Sequence, residues 1–393
     1  MILIKHSDID KIVEKYSDTI HTKFLDKKKS ILDVIDILES NKDVDTIKIK
    51  GNVKNYTTAL KLILKVNKLK KALHIKDNSE ESILRYNLKL NKVSVDKRSK
   101  CRKKQRFKEI NNQLNSIFKT VDLKELFSSK PNNLVQLNSK FTPLVKSDIN
   151  IYNYFFDYQK YYKDINKLIG QKLGIICCPY CNRNYISYVH NINNERIIGP
   201  TYDHFFHKDI YKFLTLSFYN LIPSCYVCNS NLKHTKNFNI DTHLHPHVDE
   251  FGENAVFDFD LNLIKNNNDK KIIFQPHIKP KIGINAKTNL KIFGKDTDVD
   301  NLVTGSVKVF KLQEIYKTHY DTVEEIYVKF DQNSPYYIKS IQHILDTLNV
   351  TEDEFYRFHF NNYYHSDDFH KRPLSKLTKD IYNKMKQIQN SIN

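Results

Sequence analysis

Two cysteine pairs, Cys178-Pro-Tyr-Cys181 and Cys225-Tyr-Val-Cys228, constrain this chain more than any other feature. Each pair has the spacing by which a short turn wraps one side of a tetrahedral metal, and two such turns complete a four-thiolate zinc site. About 43 residues separate the pairs, more than in a plain zinc ribbon, so the intervening segment must carry structure of its own. The alternative is four buried free cysteines with no metal. Six cysteines in all, four of them in these pairs, fit a reducing compartment and metal binding better than a disulfide framework. Cys101 lies in a basic stretch, and Cys177 abuts the first pair, where it offers a substitute for Cys178 as ligand.

With 393 residues the chain has room for two or three domains and a well-buried core. Its 27% charged and 40% hydrophobic residues are ordinary for a soluble globular protein. No uninterrupted apolar run approaches the length of a membrane span. The opening Met1-Ile-Leu-Ile-Lys-His lacks the apolar stretch and small-residue cleavage site of a secretory signal, so a cytoplasmic protein without membrane contact is expected. A net charge of +18 and a pI near 9.3 favour a polyanionic partner. The abundance of Lys, Asn, Ile and Tyr and the absence of Trp also look like the imprint of an AT-rich genome, which raises lysine without any demand from nucleic acid. Distribution says more than the total. Residues 65–108 carry about 16 basic and 4 acidic side chains, densest at 97–106, and read as a phosphate-tracking surface or as a solvated helix face.

The pattern predicts an α+β protein. Residues 1–165 read as a mainly helical, basic region, from helix-spaced runs such as Ile31, Ile35, Leu38 and Leu60, Leu64. The alternation of Thr46 to Lys50 suggests an edge strand. Helices are expected over 112–126 and 149–168, and the tyrosines of the latter, Tyr152 to Tyr162, are read as packing. Residues 166–250 form a loop-rich core: strands over 184–189 and 196–204, an extended segment at 220–223, then a short helix over 228–236. Residues 251–393 are expected to be mixed and largely helical, with short strands near 256–261, 271–275 and 290–293. Thr351 with Glu354 forms a capping box, and Pro373 suits the first turn of a terminal helix.

Inside the cysteine loop lies Asp203-His204, and Asn229 directly follows the last cysteine. Phosphodiester hydrolysis needs a deprotonated water in line with the leaving 3′ oxygen and a cation to absorb charge. A histidine near neutral pKa serves as base. An adjacent aspartate, on the opposite face of the strand, can hold a hard cation such as Mg²⁺ or Mn²⁺, and Asn229 can add a neutral oxygen. The bland alternative is a surface Asp-His pair.

Four segments, Cys178-Pro-Tyr-Cys181-Asn-Arg-Asn-Tyr, Tyr202-Asp203-His204-Phe-Phe-His-Lys208, Leu216-Ser-Phe-Tyr-Asn220-Leu-Ile-Pro-Ser-Cys225 and Cys228-Asn229-Ser-Asn, together resemble the zinc-bearing HNH endonucleases. More narrowly they are similar to HNH nucleases of bacterial anti-phage defence, of the Septu and retron-associated type. The resemblance covers about a fifth of the chain. It implies a ββα-metal core near 170–247, stapled by zinc on Cys178, Cys181, Cys225 and Cys228. It further implies His204 as general base, Asp203 and Asn229 as ligands of a catalytic Mg²⁺ or Mn²⁺, and Asn220 as the residue orienting the loop that holds the base. The usual glycine after the helix lysine is missing from Lys233-His234-Thr235-Lys236. Lys233 and Lys236 are expected to meet backbone phosphates or to be ordinary helix-surface lysines. Arg183 and Lys208 are further candidates to neutralise phosphate, and His207 either touches phosphate or packs. His243, His245 and His247 alternate and are read mainly as structural, with His245 helping to build the site. The tail at His370 to Leu377 also resembles that of such proteins.

These observations leave three readings. The first is an endonuclease acting on nucleic acid, DNA before RNA or tRNA. The second is a zinc-stabilised nucleic-acid-binding module without catalysis. The third, compatible with the first, is a defence effector silent until a partner, often an ATPase in such systems, releases it.

Overall fold

The computed structural model of the chain describes all residues except 41–42, 47–48, 50–51, 72–78, 93–96, 142–150, 194, 267–268, 281–289, 293–294, 298, 332–349 and 393. It is an α+β protein, mainly helical, whose strands pair only as two-stranded antiparallel sheets among the described residues. Two compact units make it up. The first gathers Met1–Ile12, Asp164–Ile210 and Tyr219–Asn393; the second gathers Val13–Lys163 and Tyr211–Phe218. The chain passes between the units at Lys163–Asp164, and residues on both sides of 250 belong to the first unit.

The second unit is helical, as its apolar spacing demands. Its elements are α1 (Ile9–Glu39, which begins in the first unit), α2 (Val53–Leu64), α3 (Glu80–Lys92), α4 (Lys97–Thr120), α5 (Leu123–Ser128), α6 (Pro131–Phe141), α7 (Ile151–Phe155) and α8 (Tyr158–Ile165). Asn52 caps α2 by accepting from Lys54 N at 2.9 Å, Asp122 caps α5 in the same way, and Pro131 opens α6 where its missing N–H costs nothing. Phe24 of α1 sits at the centre of the core against Phe127, Phe155, Phe156 and Tyr161, with ring centroids 5.1 to 5.9 Å away. The tyrosines over 152–162 thus mostly pack or hydrogen-bond, and Tyr161 accepts from buried Lys27 Nζ at 2.8 Å. Burial lowers the Lys27 ammonium to about 7. The single helix expected over 112–126 is two, α4 and α5. The edge strand expected over 46–50 falls largely outside the described residues, and Thr46 closes a 3₁₀ turn, Val44–Thr46.

In the first unit α8 widens into a π turn, Asn166–Gly170, and ends in a short α9 (Gln171–Leu173). Then come β1 (Val189–His190), β2 (Arg196–Ile198), β3 (Thr201–His204) and β4 (Leu221–Ser224). The single strand expected over 196–204 is broken, because Gly199-Pro200 separates β2, which pairs with β1, from β3, which pairs with β4. The strand expected over 184–189 shrinks to one bridge, Cys177 to Tyr185, and the ends of β1. A long hairpin follows, β5 (Ala255–Asn266) with β6 (Asp269–Pro280), then the short pair β7 (Leu290–Ile292) and β8 (Lys295–Thr297). The remaining helices are α10 (Val299–Val309), α11 (Leu312–Tyr316), α12 (Tyr320–Asp331), α13 (Glu352–Phe360) and α14 (Ser375–Ile392). The capping box of Thr351 and Glu354 opens α13. Pro373 lies before α14 and not in its first turn, since Leu374 adopts a left-handed φ of 61° between them. No helix among the described residues is long and apolar enough to cross a membrane.

Candidate metal centre and the adjoining Asp-His strand

The four cysteines of the two pairs are buried and free, and their sulfurs all lie within 4.8 Å of one another. A tetrahedron with Zn–S bonds of about 2.3 Å has sulfurs about 3.8 Å apart. The Cys181 and Cys225 sulfurs stand 4.0 Å apart, so the group can hold a single ion such as zinc. Donors already point at one sulfur, Asn184 Nδ2 at 3.3 Å and Cys228 N at 3.4 Å from Cys225 Sγ, as a bound thiolate requires. Hydrogen bonds from Cys178 first of all pull the Cys225 thiol down. Cys177 stays outside the group, and burial raises its thiol to about 12; the choice between it and Cys178 falls to Cys178.

The first knuckle is fastened to the C-terminal part of the unit. Asn182, at a left-handed φ of 47°, gives its side-chain N–H to Phe369 O at 2.9 Å and receives Lys376 N at 3.2 Å and, on its own carbonyl, Leu374 N at 2.6 Å. The Tyr316 hydroxyl donates to Cys181 O at 2.5 Å. Arg183, expected near phosphate, gives Nε to His319 Nε2 at 2.7 Å.

Strand β3 ends at His204, whose cross-strand neighbour is Leu221, and the chain returns through β4 into the second knuckle and a π-helical turn, Val227–Lys233. His204 is half-buried. The loop after it is clamped by Asn220, 0% exposed, whose Oδ1 accepts from Phe206 N at 2.7 Å and whose Nδ2 donates to Phe206 O at 3.3 Å. Phe205 N donates to Asn220 O at 3.0 Å. Asn220 therefore touches the backbone just past His204 on three counts.

Asp203 departs from expectation. It is 3% exposed, and both its oxygens are taken: Oδ1 by Lys233 Nζ at 2.8 Å and Oδ2 by the Tyr180 hydroxyl at 2.6 Å. Lys233 Nζ also donates to His204 O at 2.6 Å and lies 4.8 Å from the centre of the Phe238 ring. Lys233 is 1% exposed, so it meets no phosphate as folded, contrary to its reading as a surface lysine. The π winding explains the miss. In an α-helix Lys233 would face about 140° away from buried Cys228. The wider turn, closed by His234 N on Asn229 O at 2.9 Å, brings it to the buried side. Leaving one member of such a buried pair alone typically costs about 3–5 kcal/mol. Tyr180, held protonated far above its ordinary range by burial, is the other residue that sequence reasoning missed. Its position inside the first cysteine pair was the available signal.

Asn229 is half-buried, and its side chain has no partner among the described residues. Lys208 and Lys236 are exposed, the latter donating to Leu232 O at 2.7 Å. His207 lies 3.9 Å from Asp209. His243 stacks on Phe238 at 4.0 Å, and His245 packs on Phe205 at 4.2 Å. None of the three alternating histidines joins a metal-holding group among the described residues.

In the second unit, a cleft of about 340 Å³ between α2 and α4 is lined by Lys65, Arg102, Lys103 and Arg106 over Ile63 and Leu64, with Glu109 as its acid. Four basic side chains of the stretch thus line a concave surface. The chain matches no known protein family, no curated protein and no solved structure.

Proposed function

We propose that the first unit carries an endonuclease centre of the HNH kind that hydrolyses phosphodiester bonds of nucleic acid, DNA foremost. The observation that carries this reading is the setting of His204. It ends a strand at a half-buried position, on a hairpin whose other strand leads into the four-cysteine group, with the following loop fixed by Asn220 and its own carbonyl fixed by Lys233. Such fixation is what a general base needs, since it must meet its water in one geometry. In the proposed reaction the His204 ring takes a proton from water as the water oxygen bonds to phosphorus. The bond to the 3′ oxygen breaks, and that oxygen takes up a proton. Exposed Lys208 and Lys236 offer positive charge to the phosphate. Zinc on the four cysteines would hold the two knuckles together.

A catalytic Mg²⁺ or Mn²⁺ enters this reading from the resemblance. Asp203 does not fit it as folded, because it is sealed from solvent in an ion pair with Lys233, and Asn229 is the remaining oxygen donor of the pair. The same resemblance supports a role as effector in bacterial anti-phage defence, in the cytoplasm, released by a partner such as an ATPase. A zinc-stabilised nucleic-acid-binding module without catalysis is the second reading. The sealed Asp203 and the basic cleft favour it.

Cleavage of supercoiled plasmid, linear duplex, single-stranded DNA and total tRNA, each with Mg²⁺, Mn²⁺ or EDTA, decides between them. Wild type is expected to cut DNA, and His204→Ala to lose about 10²–10⁴-fold in rate while staying folded. Cutting of tRNA alone would move the substrate to RNA. Binding without cutting, unchanged in His204→Ala, would leave the binding module or a nuclease awaiting its partner, and cutting after addition of that partner would separate the two.

A further inference from the structure

We infer that Lys233 is the resident cation of Asp203, so that this carboxylate fixes the end of β3 and holds no divalent ion. The inference rests on the nuclease reading for the part Asp203 was expected to play, but its test reads ion binding and not cleavage.

A carboxylate that serves a hydrated metal must be open to the ion and its waters. Asp203 has Lys233 Nζ on Oδ1 at 2.8 Å and the Tyr180 hydroxyl on Oδ2 at 2.6 Å, and the side chains of the ion pair are only 1% and 4% exposed. Mg²⁺ and Mn²⁺ favour octahedral sites, and Mg²⁺ keeps several of its waters when bound, which a sealed pair cannot accommodate. Charge leads to the same result. Asp203 and Lys233 sum to zero in a dry surrounding of Phe238 and the stacked rings of Tyr180 and Phe310, 4.3 Å apart. A divalent ion added there would leave two uncompensated positive charges.

The ammonium also does something an ion on Asp203 alone would not do. Its second bond, to His204 O at 2.6 Å, ties the turn that carries Asn229 to the backbone of His204. Lys233 is thereby a positioning residue, acting on His204 through its carbonyl and through Asp203. The turn that carries Asn229 thus supplies Asp203 with its cation.

Mn²⁺ titration of the zinc-loaded full chain, read by electron paramagnetic resonance, tests this. The double variant Asp203→Asn/Lys233→Met removes both charges together and so avoids a bare buried ion. It is expected to stay folded by circular dichroism and to match wild type in Mn²⁺ affinity and stoichiometry within threefold. Lys233→Met alone leaves Asp203 without its cation and is expected to gain one Mn²⁺ site that the double variant lacks. Loss of more than threefold in Mn²⁺ affinity in the folded double variant overturns the inference, as does a folded Lys233→Met that gains no site. Should Lys233→Met not fold, the double variant alone decides. A wild type that cuts nothing would count against the nuclease reading and leave this titration unaffected.

Discussion

Asn220 spends both ends of its carboxamide on one neighbouring residue, Phe206, while its own carbonyl takes Phe205 N. Fully buried, it has no water to fall back on, so truncation would strand a backbone N–H and a carbonyl. Asn220→Ala is expected to cost about 2–4 kcal/mol of stability and to lower the melting temperature by several degrees, measured by calorimetry. Asn220→Asp keeps the acceptor but buries a charge, and should be worse. If Asn220→Ala melts with wild type, the loop is held by something else. This residue was singled out in the sequence only through the resemblance to HNH endonucleases. The cysteines were legible from spacing itself, since metal geometry dictates it directly. The Lys233 and Tyr180 contacts with Asp203 were not, because a π turn changes which face a residue takes, and no spacing rule announces one.

At the scale of elements, the segment between the π turn and β5 shows how burial gives histidines a pH dependence. His243 and His247 are lowered to about 4 and His245 also lies well below its ordinary value, burial being the first cause for each. Asp249, which accepts from His245 N at 2.9 Å, is raised by burial to about 6. The signs oppose. His243 and His247 withhold stability as pH falls from 6.5 to about 4, because the unfolded chain takes a proton that the folded one refuses, and His245 acts in the same direction. Asp249 contributes below 3.8 and loses that contribution as pH rises through about 6. Three histidines outweigh one aspartate. The first unit should therefore gain stability as pH climbs from about 4 to 6.5, with about 3 kcal/mol at stake for a fully shifted histidine. His247→Phe should flatten that slope in thermal melts at pH 5 and 7; parallel slopes would refute the account. Helix α10 packs onto this segment through Gly305, where a Cβ would meet Thr242 O at 2.1 Å, and Ser306, whose hydroxyl accepts from Leu244 N at 3.0 Å. Elements with strong local signals, α1, α2 and the capped α13, were readable from spacing and caps. The break at Gly199-Pro200 was not read from the alternation alone, and the start of α14 depends on contacts that Asn182 makes across the chain.

For the molecule as a whole, the two units differ in what holds them. The second packs aromatic residues around Phe24 and includes none of the four clustered cysteines. The first gathers distant segments around the cysteine group. Stripping metal with a chelator should therefore expose residues 166–250 and α14 to protease while the core of 13–163 stays protected, because metal binding energy is folding energy for the unit that contains the site. Loss of both units together, or of neither, would contradict this, and mass mapping of limited proteolysis distinguishes the three outcomes.

The bonds that fasten the first knuckle span 187 and 194 residues, from Asn182 to Phe369 and Lys376, and 135 from Cys181 to Tyr316. A chain emerging from the ribosome can complete the second unit, apart from residues 211–218, while these partners are still unsynthesised. The Asp-His strand then waits without its full support until α14 has been made. A nascent chain that has not yet reached residues 369–376 would carry the cysteines, Asp203 and His204 without that fastening, so the segment that holds them gains its full support only after its most distant partners have been made.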